Sequence, residues 1–299
     1  MSFTIGKYFN LASVFYRLIK LYARLAIRIY CRQIRISDPS ILQKKGPILL
    51  AANHPNSFLD GILLTTLFDH DIYSLARGDA FKNKHADRFL RWLRLLPVYR
   101  TSEGVENLGH NYTTFAACHK TFEQKGIVLI FSEGRCENEW HFRPLKKGTA
   151  RLAITAWHNH IPLQVIPVAF NYSSFKKFGK TVHIDFGTII TDHDINRSDI
   201  ISKQLLQFNE RLQQQLAPCI YEISDGDKTS VRQHFRRAKS GLFYVLLFVP
   251  ALIGWLLHAP LFYPVKWVTH FNFRHSGHYD SVLHALLMLL YPFYLLLFF

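Results

Sequence analysis

Short apolar runs alternate with longer amphipathic segments through the centre of the chain. The runs, at 47–52, 127–131, 163–170 and 182–186, have the length of buried β-strands. Helical periodicity lies between and after them, at 58–68, 148–157 and 201–216. Strands that alternate with helices are typical of an α/β fold, in which helices flank a mostly parallel sheet. We therefore predict such a domain over residues 41–224.

The first forty residues follow a different pattern, since no acidic residue precedes Asp38. One helical face is basic and another is apolar; the basic residues are Arg17, Lys20, Arg24 and Arg28, and the apolar ones are Leu18, Tyr22, Leu25 and Ile29. A helix of this kind suits an anionic membrane interface. We predict that residues 1–40 form such an amphipathic helix. The alternative is an ordinary surface helix that packs Leu25 and Ile29 into the core.

The C-terminal part is apolar, because residues 241–265 and 281–299 contain no Lys, Arg, Asp or Glu. Each run is close to or above the roughly 20 residues that a membrane-spanning helix needs. We predict hydrophobic membrane helices over 241–299, with a re-entrant hairpin as the alternative because prolines interrupt the first run. A basic linker at 225–240 precedes them, and its cations are Arg232, Arg236, Arg237 and Lys239. By the positive-inside rule these cations place the central domain on the cytoplasmic side of a membrane.

Composition narrows the choice of partner. The net charge of +15 favours nucleic acid, a membrane surface or a phosphorylated substrate. Nucleic acid is the weakest of these, because the charge clusters beside apolar segments and no recognised nucleic-acid-binding motif is present. The four cysteines form no Cys-x-x-Cys pair, which argues against a zinc site and against a disulfide framework. We expect no metal, since the short histidine spacings typical of metal sites are also missing.

Chemistry-bearing residues follow two of the predicted strands. His54 and Asp60 come after the run at 47–52, and Glu133 and Arg135 come after the run at 127–131. Sites in open α/β sheets lie at the carboxyl ends of strands. An imidazole oriented by a carboxylate can act as a general base, so we predict that His54 is the base and Asp60 its orienter. The alternative is that Ser57-x-x-Asp60 is only a capping box at a helix start.

Four motifs occur in a fixed order along the chain. They are Asn53-His54 with Asp60, then Pro97-Val98-Tyr99-Arg100, then Phe131-Ser132-Glu133-Gly134-Arg135, then Ile166-Pro167-Val168. This order resembles the glycerophospholipid acyltransferase family, which includes the glycerol-3-phosphate and the PlsC-like 1-acylglycerol-3-phosphate acyltransferases. The chain departs from the family pattern at three places. Five residues separate His54 from Asp60 instead of four, Ser132 replaces a proline, and Cys136 occupies the slot of an arginine.

The resemblance implies a membrane-associated O-acyltransferase of phospholipid synthesis. It implies transfer of a fatty acyl group from acyl-CoA or acyl carrier protein to glycerol-3-phosphate or a lysophospholipid such as lysophosphatidate, with no cofactor besides the acyl carrier. It also implies that the acceptor site is formed by Arg100, Glu133, Gly134 and Arg135. Lys147, one of two lysines before a predicted helix start, suits the phosphates of an acyl carrier.

Two other interpretations remain open. Cys136 and His141 could form a thiol–histidine pair that carries the acyl group, although no feature of the sequence predicts a lowered thiol pKa. A non-catalytic protein that binds lipid at a membrane surface would need only the basic face and the apolar tail. In that case the turn from His54 to Asp60 would have no chemical role.

Overall fold

The structure is a computed structural model that describes residues 3–99, 109–236 and 241–297. The strands are β1 Cys31–Ile36, β2 Ile48–Ala52, β3 Ile72–Arg77, β4 Leu95–Val98, β5 Ile127–Phe131, β6 Gln164–Tyr172 and β7 Lys180–Phe186. The helices are α1 Phe3–Tyr30, α2 Phe58–Leu67, α3 Lys84–Trp92, α4 His110–Glu123, α5 Lys147–His158, α6 Ile201–Leu216, α7 Lys228–His234, α8 Gly241–Phe273 and α9 Tyr279–Leu295.

The seven strands form one sheet in the order β1-β7-β6-β2-β5-β3-β4. Among these strands only β6 and β7 pair antiparallel, so the sheet is mixed but mostly parallel. Helices cover both of its faces. The predicted α/β fold is confirmed, and the four predicted strands lie within two residues of their observed starts and ends.

The central strand β2 separates two apolar layers. All five of its residues are buried, and successive side chains point to opposite faces of the sheet. Ile48 and Leu50 face a layer built with α1, α2, α8 and α9. Leu49 and Ala51 face a second layer built with α4, α5 and α6. A fully apolar run is thus what a strand buried on both faces requires.

Three strands were not predicted: β1, β3 and β4. The run Cys-Arg-Gln-Ile-Arg-Ile of β1 continues the basic composition of the preceding helix, so it resembles more of that helix. Only its first residue is buried, because β1 lies at the edge of the sheet. The N-terminal segment is therefore helical to Tyr30 and joins the sheet directly afterwards.

Helix α1 has three faces rather than two. A third face packs into the core through Tyr16, Ala23, Ile27 and Tyr30. Leu25 and Ile29 are 57% and 58% exposed, so the alternative in which they pack into the core is wrong. They belong to an exposed apolar stripe made of Val14, Leu18, Leu21, Leu25 and Ile29.

The C-terminal helices α8 and α9 form an antiparallel pair, since His270 lies beside Tyr279 and His258 contacts Tyr291. Helix α8 continues through its three prolines, and the turn that leads into α9 lies at 274–278. The re-entrant hairpin stays an alternative to a membrane-spanning arrangement. Within the described part of the chain, one helix is long and apolar enough to cross a bilayer, over Leu247–Phe273. Helix α9 is apolar but has only 17 residues.

Helix α6 offers a direct test of the second apolar layer. Phe208 is fully buried and packs on Trp157, with ring centroids 5.9 Å apart. We expect Phe208→Ala to lower the free energy of unfolding by about 3–5 kcal/mol, because it removes a buried ring and leaves a cavity. Denaturant unfolding of the full chain in detergent measures this change. Leu206→Ala on the same helix, where Leu206 is 59% exposed, is the control, and an equal loss in both variants would contradict this packing.

Candidate active site

The site lies at the carboxyl ends of β2, β5 and β6. These strands pair in register, so that Ala52 is opposite both Phe131 and Val168. The residues that follow β2 and β5 are therefore level with each other, as expected at the carboxyl edge of a parallel sheet. The backbone N–H of His54 donates to Oε2 of Glu133 at 3.0 Å. The first and third sequence motifs thus meet in one place.

Asn53 extends the pairing of β2 with β6 by its side chain. Its Nδ2 donates to the carbonyl of Phe170 at 3.2 Å, and its Oδ1 accepts from the N–H of Phe170 at 2.8 Å. The side-chain amide therefore takes the place of a backbone amide. Because both bonds are buried, the strand end just before His54 is fixed to β6.

His54 and Asp60 form the predicted pair. Nδ1 of His54 lies 3.0 Å from Oδ2 of Asp60. A carboxylate oxygen accepts hydrogen bonds, so Nδ1 carries the proton and Nε2 is the nitrogen that can accept one. The imidazole also stacks on Phe131, with ring centroids 3.7 Å apart and planes 14° apart. The ring is held in one orientation from two sides, while 12% of the side chain remains exposed.

Asp60 has no exposed side-chain atoms. Tyr172 Oη donates to its Oδ1 at 2.5 Å, and the backbone N–H of Asn56 donates to its Oδ2 at 2.8 Å. Burial raises the pKa of Asp60, and the hydrogen bonds from His54, Tyr172 and Asn56 oppose that rise. Burial and the nearby Asp60 carboxylate raise the pKa of Tyr172 well above its usual value, so Tyr172 stays protonated and donates.

Glu133 is buried behind the same turn. Its carboxylate accepts from the backbone N–H groups of His54 and, at 3.3 Å, of Arg143. Burial raises its pKa to about 7, while these two hydrogen bonds and the Arg143 charge oppose the rise. Glu133 therefore supports the backbone of the turn at 53–57, which carries His54 and is called the catalytic turn below. Its expected role in acceptor binding stays a prediction.

The other predicted binding residues are spread around this edge. Gly134 has a φ of +74°, and a Cβ there would lie 2.9 Å from Lys146, so the turn after β5 needs glycine. Arg135 is 61% exposed and pairs with Glu137 at 3.4 Å. Lys147 is exposed at the first residue of α5. Arg100 lies outside the described residues. The roles assigned to all four remain predictions.

Two alternatives from the sequence are wrong. The side chain of Ser57 forms no helix cap; instead its Oγ contacts Nδ1 of His278 at 2.6 Å. Cys136 and His141 do not pair either, because Cys136 Sγ accepts from the N–H of Ser57 and His141 contacts Glu222. Burial raises the pKa of Cys136 to about 12, which makes it a poor nucleophile at neutral pH.

Several residues of the site have no clear sequence signal. Tyr172 could have been suspected, because it ends β6, whose start carries the fourth motif. Arg143 has no motif of its own, yet it lies beside Glu133 and is only 15% exposed. Two further polar residues, Asp280 and Ser281, meet the turn from a distant part of the chain, and Lys180 pairs with Asp280 behind them.

An imidazole held by a buried carboxylate at a strand end can act as a general base. Residues 33–171 match the model of the Acyltransferase family. Seven solved chains match in fold. One is the 1-acyl-sn-glycerophosphate (LPA) acyltransferase PlsC from Thermotoga maritima, with a TM-score of 0.50 and 11% identity over 70% of this chain and 80% of that one. A search of curated proteins finds no match.

Residues 33–171 therefore form an acyltransferase domain. The fold resembles that of PlsC, and the resemblance that the four motifs indicated is confirmed at the level of this domain and its fold.

The raised pKa of Glu133 predicts a dependence of stability on pH. The folded protein holds this proton more tightly than the unfolded chain, because burial moves the pKa from 4.5 to about 7. The folded state therefore loses stability as the pH rises through this range, and Glu133→Gln avoids that loss. Relative to wild type, the variant should gain about 3 kcal/mol between roughly pH 4 and pH 8. Denaturant unfolding at both pH values tests this, with Glu210→Gln on the exposed side of α6 as the control. If the free energy of unfolding depended on pH in the same way in wild type and Glu133→Gln, the effect of burial on the Glu133 pKa would be contradicted.

Proposed function

We propose that this acyltransferase moves a fatty acyl group from acyl-CoA or acyl carrier protein to a hydroxyl of glycerol-3-phosphate or of a lysophospholipid such as lysophosphatidate. The observation that carries the proposal is the contact of His54 with the buried carboxylate of Asp60. The reaction serves phospholipid synthesis, and the acyl carrier is a co-substrate rather than a bound cofactor.

The proposed chemistry needs one base and no covalent enzyme intermediate, because a thioester is already activated. Nε2 of His54 accepts the hydroxyl proton while the acceptor oxygen attacks the thioester carbonyl. The carbon–oxygen bond forms, the carbon–sulfur bond breaks, and the proton passes from the imidazolium to the leaving sulfur. The Asp60 carboxylate stabilises the imidazolium between these two steps.

The acceptor phosphate would be bound beside this pair by the basic residues of the same edge. Arg135 and Lys147 are exposed, and a guanidinium suits phosphate oxygens because it donates two parallel hydrogen bonds. The backbone N–H of Arg143 donates to Glu133, and its guanidinium contacts Glu137 and Glu139. Arg100 completes the proposed set, together with the turn at Gly134.

The protein is proposed to act at a membrane, with its catalytic domain on the cytoplasmic side. Two exposed apolar surfaces support this. One is the stripe on α1, which lies beside Arg17 and Arg28, and the other covers most of α8. Exposed apolar surface of this extent is typical of membrane or partner contact, and the neighbouring cations favour anionic lipid.

Removal of the His54 imidazole tests the chemistry. We expect His54→Ala to lower turnover by about 10²–10⁴-fold, the usual effect of losing a general base. The measurement is transfer of labelled acyl groups by detergent-purified protein, with acyl-CoA or acyl carrier protein as donor and glycerol-3-phosphate or lysophosphatidate as acceptor. His193→Ala, at a histidine whose side chain is 91% exposed, controls for the substitution type.

Turnover near wild type in His54→Ala would end the mechanism. Lipid binding by a wild type that transfers no acyl group would favour the non-catalytic alternative.

The lipid contact of α8 can be read from tryptophan fluorescence. Trp255 and Trp267 are 51% and 69% exposed on α8, whereas Trp157 is 3% exposed in the core. In vesicles that carry brominated acyl chains, we expect quenching that falls strongly in Trp267→Phe and little in Trp157→Phe. Equal quenching in wild type and both variants would place the part of α8 around Trp267 outside the acyl layer.

A further inference from the structure

The first turn of α9 is packed against the catalytic turn. Ser281 Oγ donates to the carbonyl of Asn56 at 2.8 Å and accepts from the N–H of Leu59 at 3.1 Å. Asp280 Oδ2 accepts from Nδ2 of Asn56 at 2.6 Å. These residues are more than two hundred positions apart in sequence. The start of the C-terminal helix is thus part of the wall behind His54 and Asp60.

Asp280 is the centre of this contact. Neither its side chain nor that of Lys180 is exposed, and the Lys180 ammonium donates to Asp280 Oδ2. Tyr30, the last residue of α1, donates its hydroxyl to Oδ1 of Asp280. One carboxylate therefore joins α1, β7 and α9 to the turn that follows β2.

A short path leads from Asp280 to the catalytic pair. The backbone N–H of Asn56 donates to Asp60, while the side chain of Asn56 donates to Asp280. The Asn56 Oδ1 atom is buried and has no hydrogen-bond partner among the described residues. The Asn56 side chain is therefore held by Asp280. Asn56 is in turn one of three groups that fix the Asp60 carboxylate, and Asp60 fixes the imidazole.

We propose that Asp280 is a positioning residue for the catalytic turn, which acts through Asn56 and Asp60 to hold His54 in its reactive orientation. This inference rests on the proposed function. Under this proposal the helix pair α8 and α9 supports the active site in addition to presenting an apolar surface.

The chemistry of the Lys180–Asp280 ion pair favours a positioning role for Asp280 over a role in stability alone. A buried ion pair contributes little net stability compared with well-packed apolar side chains of the same volume, because both charges lose their hydration. What the Asp280 carboxylate provides, and an apolar side chain does not, is an acceptor that orients Asn56. Small displacements of a catalytic group have large effects on rate, since reaction needs nearly exact contact distances.

The test uses full-length protein in detergent and two independent readouts. The first is the NMR signal of the His54 Nδ1 proton, identified by its loss in His54→Ala. The second is the separation of kcat from KM in the acyl-transfer assay. In Asp280→Leu, which removes the acceptor, we expect the proton signal to move or vanish and kcat to fall by about 100-fold. KM for both substrates should change little, because Asp280 contacts Asn56 and not the proposed acceptor residues.

Asp280→Leu leaves Lys180 buried without its counter-ion, so that variant can fail to fold. The double variant Lys180→Met with Asp280→Leu removes both charges and should keep the fold. It should show the same altered proton signal and lowered kcat. Tyr22→Phe is the matched control, because it removes a hydrogen bond between α1 and Met288 of α9, away from the catalytic turn. It should leave both readouts unchanged.

Each result of this test either supports or overturns the positioning role of Asp280. A wild-type proton signal and kcat in a folded double variant would overturn the positioning role, as would an equal effect of Tyr22→Phe. If wild type transfers no acyl group to any acceptor, the proposed function fails. The proton signal would still show whether Asp280 holds the orientation of His54.

Discussion

The site is organised around one requirement, which is that the buried carboxylate of Asp60 must be fully hydrogen-bonded. A carboxylate without access to water is strongly disfavoured unless donors surround it. Here the donors come from His54, from the turn at Asn56, and from Tyr172 at the end of β6. Each donor is fixed by a different element. The satisfaction of one charge therefore aligns a strand end, a turn and an imidazole at the same time.

Glu133 is a second buried carboxylate at this edge of the sheet, and burial raises its pKa as it raises that of Asp60. It accepts two backbone N–H groups, yet burial dominates and moves its pKa to about 7. Asp60 has an imidazole and a phenol as donors, whereas Glu133 has only amides and the charge of Arg143 nearby. The two carboxylates differ in their environment and hold different parts of the same residue. Asp60 contacts the imidazole of His54, whereas Glu133 accepts from its backbone N–H.

The sequence was sufficient for the parts of the fold that have local signals. Apolar runs predicted the strands β2, β5, β6 and β7, and His54 followed by Asp60 predicted the central contact of the site. Edge strands such as β1 lack an apolar run. The basic and polar residues of β1 continue the composition of α1, so in sequence the strand resembles more of that helix. The contacts of Asp280 with the turn and with Lys180 were not predictable either. They depend on the three-dimensional approach of segments separated by 100 positions or more, for which spacing in sequence holds no information.

Helix α8 lies between two segments that both contact β7. Before it, Phe235 packs on His183, with ring centroids 4.8 Å apart. After it, Asp280 joins Lys180 in the interior and accepts from Asn56 in the turn that carries His54. The chain that follows α8 is therefore held beside the candidate site. If α8 contacts lipid as proposed, this connection acts as a tether between the membrane surface and His54, and a tether raises the effective concentration of what it carries.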